Sequence, residues 1–333
     1  MVENKKLDDD VTVVVDKPDD VKLKRSIGIV TGITILVGSM IGSGIFVSPT
    51  GILLNVRSIG ASLIIWVACG IFSMLGAYCY AELGTIIERS GGDYIYVYEA
   101  FGSFIGFLRL WVEVMVVRPV AIAIVALTFG DIFMLRQFPF DQIFNQNTRY
   151  IYTCETCRSY NDHSRYEELE EPFVYSDWSP GKIANAFYSC LFAYGGWTNL
   201  NCMVGEMINP RKHLSIVIRL SCLLVTLFYT AANVAYVTVV PVAEMLTTRA
   251  VAVTFANRIY GMFWWIMPIF VACSTFGSAN GTILTTSRIF VAASQLKQMP
   301  AFISYLHTDR LTPIPAVLFT VSSLHNTTFV KHK

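Results

Sequence analysis

Charge is scarce in this chain: Asp, Glu, Lys and Arg supply 15% of its 333 residues, hydrophobic residues supply 54%, and the mean hydropathy is +0.51. That balance excludes an ordinary water-soluble domain, which carries about 25% charged residues. A formal net charge of +1 leaves no overall field to gather a polyanion, so nucleic acid is not an expected partner. Histidine is sparse as well. His163, His213, His307, His325 and His332 are scattered through loops and tails with no two at ligand spacing, and none is assigned a catalytic or metal role. Cys69, Cys79, Cys190, Cys202, Cys222 and Cys273 fall in apolar blocks, where a small polarizable side chain is ordinary packing. Cys154 and Cys157 stand in a polar segment with no second Cys or His pair nearby, which argues against zinc. No loop pairs a nucleophile with a base, so the sequence does not read as an enzyme. A cleavable signal peptide is also missing from the first 25 residues, which are polar and charged. The first apolar block then has to act as its own signal.

What is abundant is apolar sequence in blocks, each near the length of about 20 residues that crosses a bilayer as helix. Blocks fall at 28–50, 60–84, 95–135, 183–207, 214–240 and 262–290, with a short run at 311–324. The expectation is an all-α, polytopic transmembrane bundle. Along the chain it reads as a disordered cytosolic tail (1–25), three spans (26–138), a polar extracellular segment (139–181), a second set of spans with a partial last one (182–322), and an unrelated tail (323–333). Lys22, Lys24, Arg25, Arg89, Arg211, Lys212, Arg288 and Lys297 share one side of this arrangement, which by the positive-inside rule places the N-terminus in the cytosol.

The first block is interrupted. Gly38, Gly42 and Gly44, with Ser39 and Ser43, raise the cost of keeping it helical. Gly38 and Gly42 alone also satisfy a small-residue packing pattern, and on spacing alone that reading stands level with a functional break. A second interruption in the fourth block, Phe192-Ala193-Tyr194-Gly195-Gly196-Trp197, favours the break. Two broken spans, each the first of three, are the pattern of an inverted-repeat transporter. Half-helix N–H groups there take a carboxylate and unwound carbonyls take a cation, the two charges of an α-amino acid.

At these residues the sequence resembles the light chains of heteromeric amino acid transporters, in the L-type and cationic/neutral branch of the amino acid/polyamine/organocation superfamily. The likeness runs through Val37 to Pro49, Cys79-Tyr80-Ala81-Glu82-Leu83-Gly84, Glu99-Ala100-Phe101-Gly102 and Arg109-Leu110-Trp111. It resumes at Phe192 to Trp197, Glu206-Met207-Ile208-Asn209-Pro210, and Phe276 to Gly281 with Ser287-Arg288. It implies a LeuT-like inverted-repeat fold and exchange of L-amino acids across the plasma membrane beside a single-span heavy-chain glycoprotein, with no metal or organic cofactor. By the same likeness, the N–H groups of Gly42, Ser43 and Gly44 hold the substrate carboxylate. Carbonyls of Met40, Phe192 and Gly195 accept from its ammonium group, and the Phe192 ring gates the site.

The chain departs from that pattern in three places. The fourth and fifth spans are replaced by the polar stretch 141–180, and the part beyond the eighth is a stub, so the fold is expected with spans missing. The extracellular cysteine that joins the heavy chain aligns with Asp141. Cys154 or Cys157 are the candidates to replace it from the oxidising side, and the pair can equally close on itself or stay free. Thr198 stands where relatives that accept cationic substrates place an acid. A hydroxyl does not neutralise an ammonium in low dielectric, which turns the expectation toward neutral amino acids with cationic ones left open. The alternative function is a truncated, non-transporting membrane polypeptide that binds the heavy chain or full-length light chains. A seven-span receptor needs an unbroken first helix. Finally, Glu82, Arg109, Glu113, Arg118 and Glu206 lie in or beside apolar blocks and need partners or water. Arg109 and Glu113, four apart, share a helix face and are expected to pair.

Overall fold

The computed structural model describes residues 25–137, 171–248, 251–260, 263–305, 313–320 and 322. The expected terminal tails, apart from Arg25, most of the polar segment, and both Cys154 and Cys157 lie outside the described residues. Among those described, every regular element is helical, and the one β-type contact is an isolated parallel bridge between Ile27 and Met207. The expected all-helical membrane bundle is therefore the fold.

Helix α1 (Ile29–Met40) and α2 (Gly44–Val56) meet at 46° across a three-residue break. Helix α3 (Ile59–Ile86) starts where the Ser58 hydroxyl accepts the Ala61 N–H, a capping contact that satisfies one orphan donor of the first turn. Its 28 residues reach about 42 Å, enough to cross hydrocarbon. The block read as one long third span is jointed. Helix α4 (Asp93–Phe101) ends at Gly102, whose φ of +87° admits only glycine comfortably. Helix α5 (Ser103–Val112) then runs through a π-turn (Glu113–Val117) into α6 (Arg118–Gln137). The fourth block is also jointed: α7 (Pro180–Ala193) ends in a turn over 194–198, followed by a 3₁₀ stretch, Asn199–Glu206. Helix α8 (Pro210–Val239) is unbroken. Two short helices, α9 (Val242–Thr247) and α10 (Val251–Tyr260), occupy a segment assigned to no span, and α11 (Ile266–Gln295) comes next. Among the described residues four helices are long and apolar enough to cross a membrane, or five if α1 and α2 form one bent span.

Large apolar side chains sit on the outside at helical spacing. Ile64, Val67, Ile71 and Leu75 on α3 and Leu220, Leu223 and Leu227 on α8 are all exposed, as a lipid-facing surface requires. The inward faces pack through small residues and aromatics. Gly70 of α3 leaves room for Thr226 of α8; a Cβ there would fall 2.5 Å from the Thr226 hydroxyl. Trp66, Tyr194 and Tyr229, each almost wholly buried, bring α3, the turn after α7 and α8 together with ring centroids 5.1 to 6.0 Å apart.

Candidate functional site

The two interruptions are in contact with each other. At Gly44, the first residue of α2, a Cβ would lie 2.4 Å from the Ala193 Cα at the end of α7. At Gly196, with φ of +102°, a Cβ would lie 3.0 Å from the Ser39 carbonyl oxygen. Any larger residue at Gly44 would separate two backbones, which is the physical reason glycine occupies the junction. The sequence-expected residues Met40, Gly42, Ser43 and Gly44 thus lie at the first break and Phe192 and Gly195 at the second, and the two breaks touch through Gly44-Ala193 and Ser39-Gly196.

Their hydrogen bonding divides by sign. The backbone N–H groups of Gly42, Ser43 and Gly44 find no acceptor among the described residues, and they sit at the N-terminal, partially positive end of a 13-residue helix. Carbonyls dominate the remaining rim. The Tyr229 hydroxyl lies 2.8 Å from the Met40 oxygen and 3.0 Å from the Ala193 oxygen, and donates to these as a shared donor. Ser274 donates to the Ile41 oxygen at 2.8 Å and Ser278 to the Ser39 oxygen at 3.3 Å. The Phe192 oxygen accepts the Gly195 N–H at 3.2 Å, and the Gly195 oxygen has no donor among the described residues. Each carbonyl has two lone pairs, so those already bonded can accept once more. The Phe192 side chain is 44% exposed, and Thr198 is half-buried in the turn after it. Gly38, by contrast, is exposed, and a Cβ placed there would meet nothing within 4 Å, so Gly38 and Gly42 do not act as a paired packing face.

Beside the second break lies an ion network, deeply buried at Glu113 and partly exposed at Arg109 and Asp93. Arg109 Nη1 is 2.7 Å from Glu113 Oε2, the expected pair, and Arg109 Nη2 reaches Asp93 at 3.0 Å. Glu113 also accepts from Arg118 Nε at 2.6 Å. The same Arg118 guanidinium reaches Thr285 at 3.1 Å and Asn199, just past the second break, at 3.4 Å. Glu206 pairs with Arg288 of α11 at 2.7 Å, both side chains buried. Glu82 is exposed. Among the described residues no cluster of three or more His, Cys, Asp or Glu could hold a metal ion. Sequence reasoning missed Tyr229, Ser274 and Ser278, which hold the unwound carbonyls. Their signal was a hydroxyl inside an apolar block, common enough in membrane helices to pass unnoticed.

Bare N–H groups at the start of α2, beside carbonyls of both breaks, suit a small zwitterion. Comparison with known proteins agrees with the architecture. The amino acid permease family matches residues 27–156 and 150–323. The large neutral amino acids transporter small subunit 2 of Mus musculus is 40% identical over 347 positions, covering 91% of this chain and 64% of the relative. The Asc-type amino acid transporter 1 of Rattus norvegicus is 37% identical over 90% of this chain and 63% of its own length. The cystine/glutamate transporter of Homo sapiens is 36% identical over 90% and 67%. This chain therefore spans about two thirds of the length of the relatives it matches. The 347-position alignment exceeds the 333 residues present, so the mouse relative carries residues with no counterpart here. By the extent of the family match, this chain belongs to the amino acid permease family.

Proposed function

We propose that this chain is the light-chain component of a heteromeric amino acid exchanger, taking neutral L-amino acids in the crevice between the two helix breaks. The observation that carries the proposal is the juxtaposition of the free N–H groups of Gly42, Ser43 and Gly44 with the carbonyls of Met40, Phe192 and Gly195. The first set receives the substrate carboxylate and the second its ammonium group. Phe192 covers the bound side chain, and Thr198, which brings no charge, leaves the pocket suited to uncharged substrates. The names of the relatives, all amino acid transporters, support the substrate class. A single-span heavy-chain glycoprotein is the partner, joined through Cys154 or Cys157 if by disulfide. The setting is the plasma membrane with the N-terminus cytosolic. Arg89, Arg211 and Lys212 support that orientation, whereas Arg288 is buried within the bundle and does not count toward it.

The test is counterflow of labelled leucine and arginine into proteoliposomes that hold the chain with the heavy chain. Leucine exchange that is lost in Gly44→Val is the expected result, and absence of leucine exchange by the unmodified chain would overturn it. The alternative outcome of the same test is a non-transporting polypeptide that binds the heavy chain or full-length light chains. Co-purification with either, without counterflow, is its signature.

A further inference from the structure

Below the second break, two buried polar side chains come together without partners. Asn201, on the 3₁₀ stretch, is wholly buried, and neither its amide nitrogen nor its amide oxygen has a hydrogen-bond partner. Tyr96 of α4 is 7% exposed and its hydroxyl is unpartnered too. Both lie near the same glycine of α3: a Cβ on Gly84 would stand 3.0 Å from the Tyr96 hydroxyl, 3.1 Å from the Asn201 oxygen and 2.6 Å from a Leu214 methyl, which closes the apolar side of the place. Two oxygens so close to one point are at most about 6 Å apart, within the range that a single bridging water with hydrogen bonds of about 2.8 Å can serve.

The geometry points to a buried water site walled by Gly84, Tyr96 and Asn201. The chemistry selects the ligand. Asn201 presents a donor and an acceptor, and the tyrosine hydroxyl can be either, so the occupant has to accept as well as donate. A cation meets the oxygens and leaves the amide N–H groups unsatisfied; an apolar group meets none of them. Water can donate to the Asn201 oxygen and either donate to or accept from the Tyr96 hydroxyl, and buried waters are found where unpartnered polar groups converge. The site ties the 3₁₀ stretch to α3 and α4 through a partner that can exchange. That stretch is the least regular part of the inner half-span, with Met203 at φ −119° and ψ 18°. A bridging water lets its backbone shift without stranding buried polar groups.

Synchrotron hydroxyl-radical footprinting of the full chain in lipid nanodiscs tests this, because radiolysis labels side chains beside bound water even when they are buried. Tyr94 and Tyr229, each 1% exposed, are the internal controls, since their hydroxyls bond directly to Gln298 and to the break carbonyls. Tyr96 is expected to label several-fold faster than either, and Asn201→Leu is expected to bring Tyr96 down to their level. Protection of Tyr96 equal to that of Tyr229 in the unmodified chain would overturn the site. So would a density map that resolves waters and shows the Tyr96 hydroxyl bonded directly to Asn201. Both readouts use the unmodified chain and stand even if Asn201→Leu does not fold.

Discussion

Arg118 Nε lies 2.6 Å from Glu113 Oε1 although the two residues are five positions apart. In a regular α-helix that spacing leaves side chains about 140° apart around the axis. The π-turn over Glu113–Val117, closed by the Arg118 N–H on the Glu113 carbonyl, brings them back to one face. Pro119 is the local cause. It has no N–H to give, and its ring would clash with the carbonyl four residues back, a conflict relieved by widening the turn. The result is a guanidinium fixed between the third span, Asn199 beyond the second break, and Thr285 of α11.

Removing Glu113 leaves two arginines facing a buried, unbalanced position. Glu113→Ala is expected to lower unfolding free energy by about 3–5 kcal/mol. The pair Glu113→Gln with Arg118→Gln is expected to lose less than the sum of the single changes. Thermal denaturation of the four proteins in detergent measures the coupling, and strict additivity would show that the pair is not a unit.

The first break separates its glycines by role. Gly38→Ala meets open space on a helix and is expected to stabilise α1 by about 0.5–1 kcal/mol. Gly44→Ala drives a methyl into the Ala193 backbone and is expected to cost about 1–3 kcal/mol or more by forcing α2 and α7 apart. Melting temperatures that move in opposite directions are the check. Equal responses would mean that α2 and α7 do not meet at Gly44.

That contrast marks how far the sequence could be read. Apolar blocks and paired glycines identified a helical membrane bundle and both interruptions, because helix length and glycine cost are local properties. The Arg109–Glu113 contact was legible for the same reason, through its i,i+4 spacing. The π-turn was not, since Arg118-Pro119 announces a disturbed helix without saying that it widens instead of kinking. Nor were the hydroxyls of Tyr229, Ser274 and Ser278, which reach the first break from α8 and α11. Pairings over such separations are set by how helices stack, which no local pattern encodes. Glu206 was flagged as needing a partner, and only the packing of α11 identifies that partner as Arg288.

Glu206 holds three elements at one point. Its carboxylate takes Arg288 of α11, and its carbonyl accepts the N–H groups of Ser26 at 2.9 Å and Ile27 at 3.0 Å, just ahead of α1. Glu206→Gln keeps the backbone contacts and strands the guanidinium, so a loss of about 3–5 kcal/mol is expected. The exchanged pair Glu206→Arg with Arg288→Glu should recover part of it. No recovery would assign the loss to the shape of the site and not to its charge.

Tyr229 is the residue through which the breaks depend on each other. Its hydroxyl is shared between Met40 and Ala193, the last residues of α1 and α7, where no helical N–H is available to take over. Tyr229→Phe therefore leaves buried carbonyls short of a donor and is expected to cost about 1–3 kcal/mol. Tyr194→Phe is the matched control, because its hydroxyl bonds to the Trp66 carbonyl inside the continuous helix α3. That oxygen keeps its helical partner when the hydroxyl is removed, so the control is expected to cost about 1 kcal/mol or less. If the crevice binds amino acids, the two variants should also separate in counterflow. Tyr229→Phe alters the carbonyls offered to the substrate ammonium and should weaken leucine exchange, while Tyr194→Phe should leave it near the unmodified rate. Equal exchange by both would show that the hydroxyl supports the fold without shaping the site.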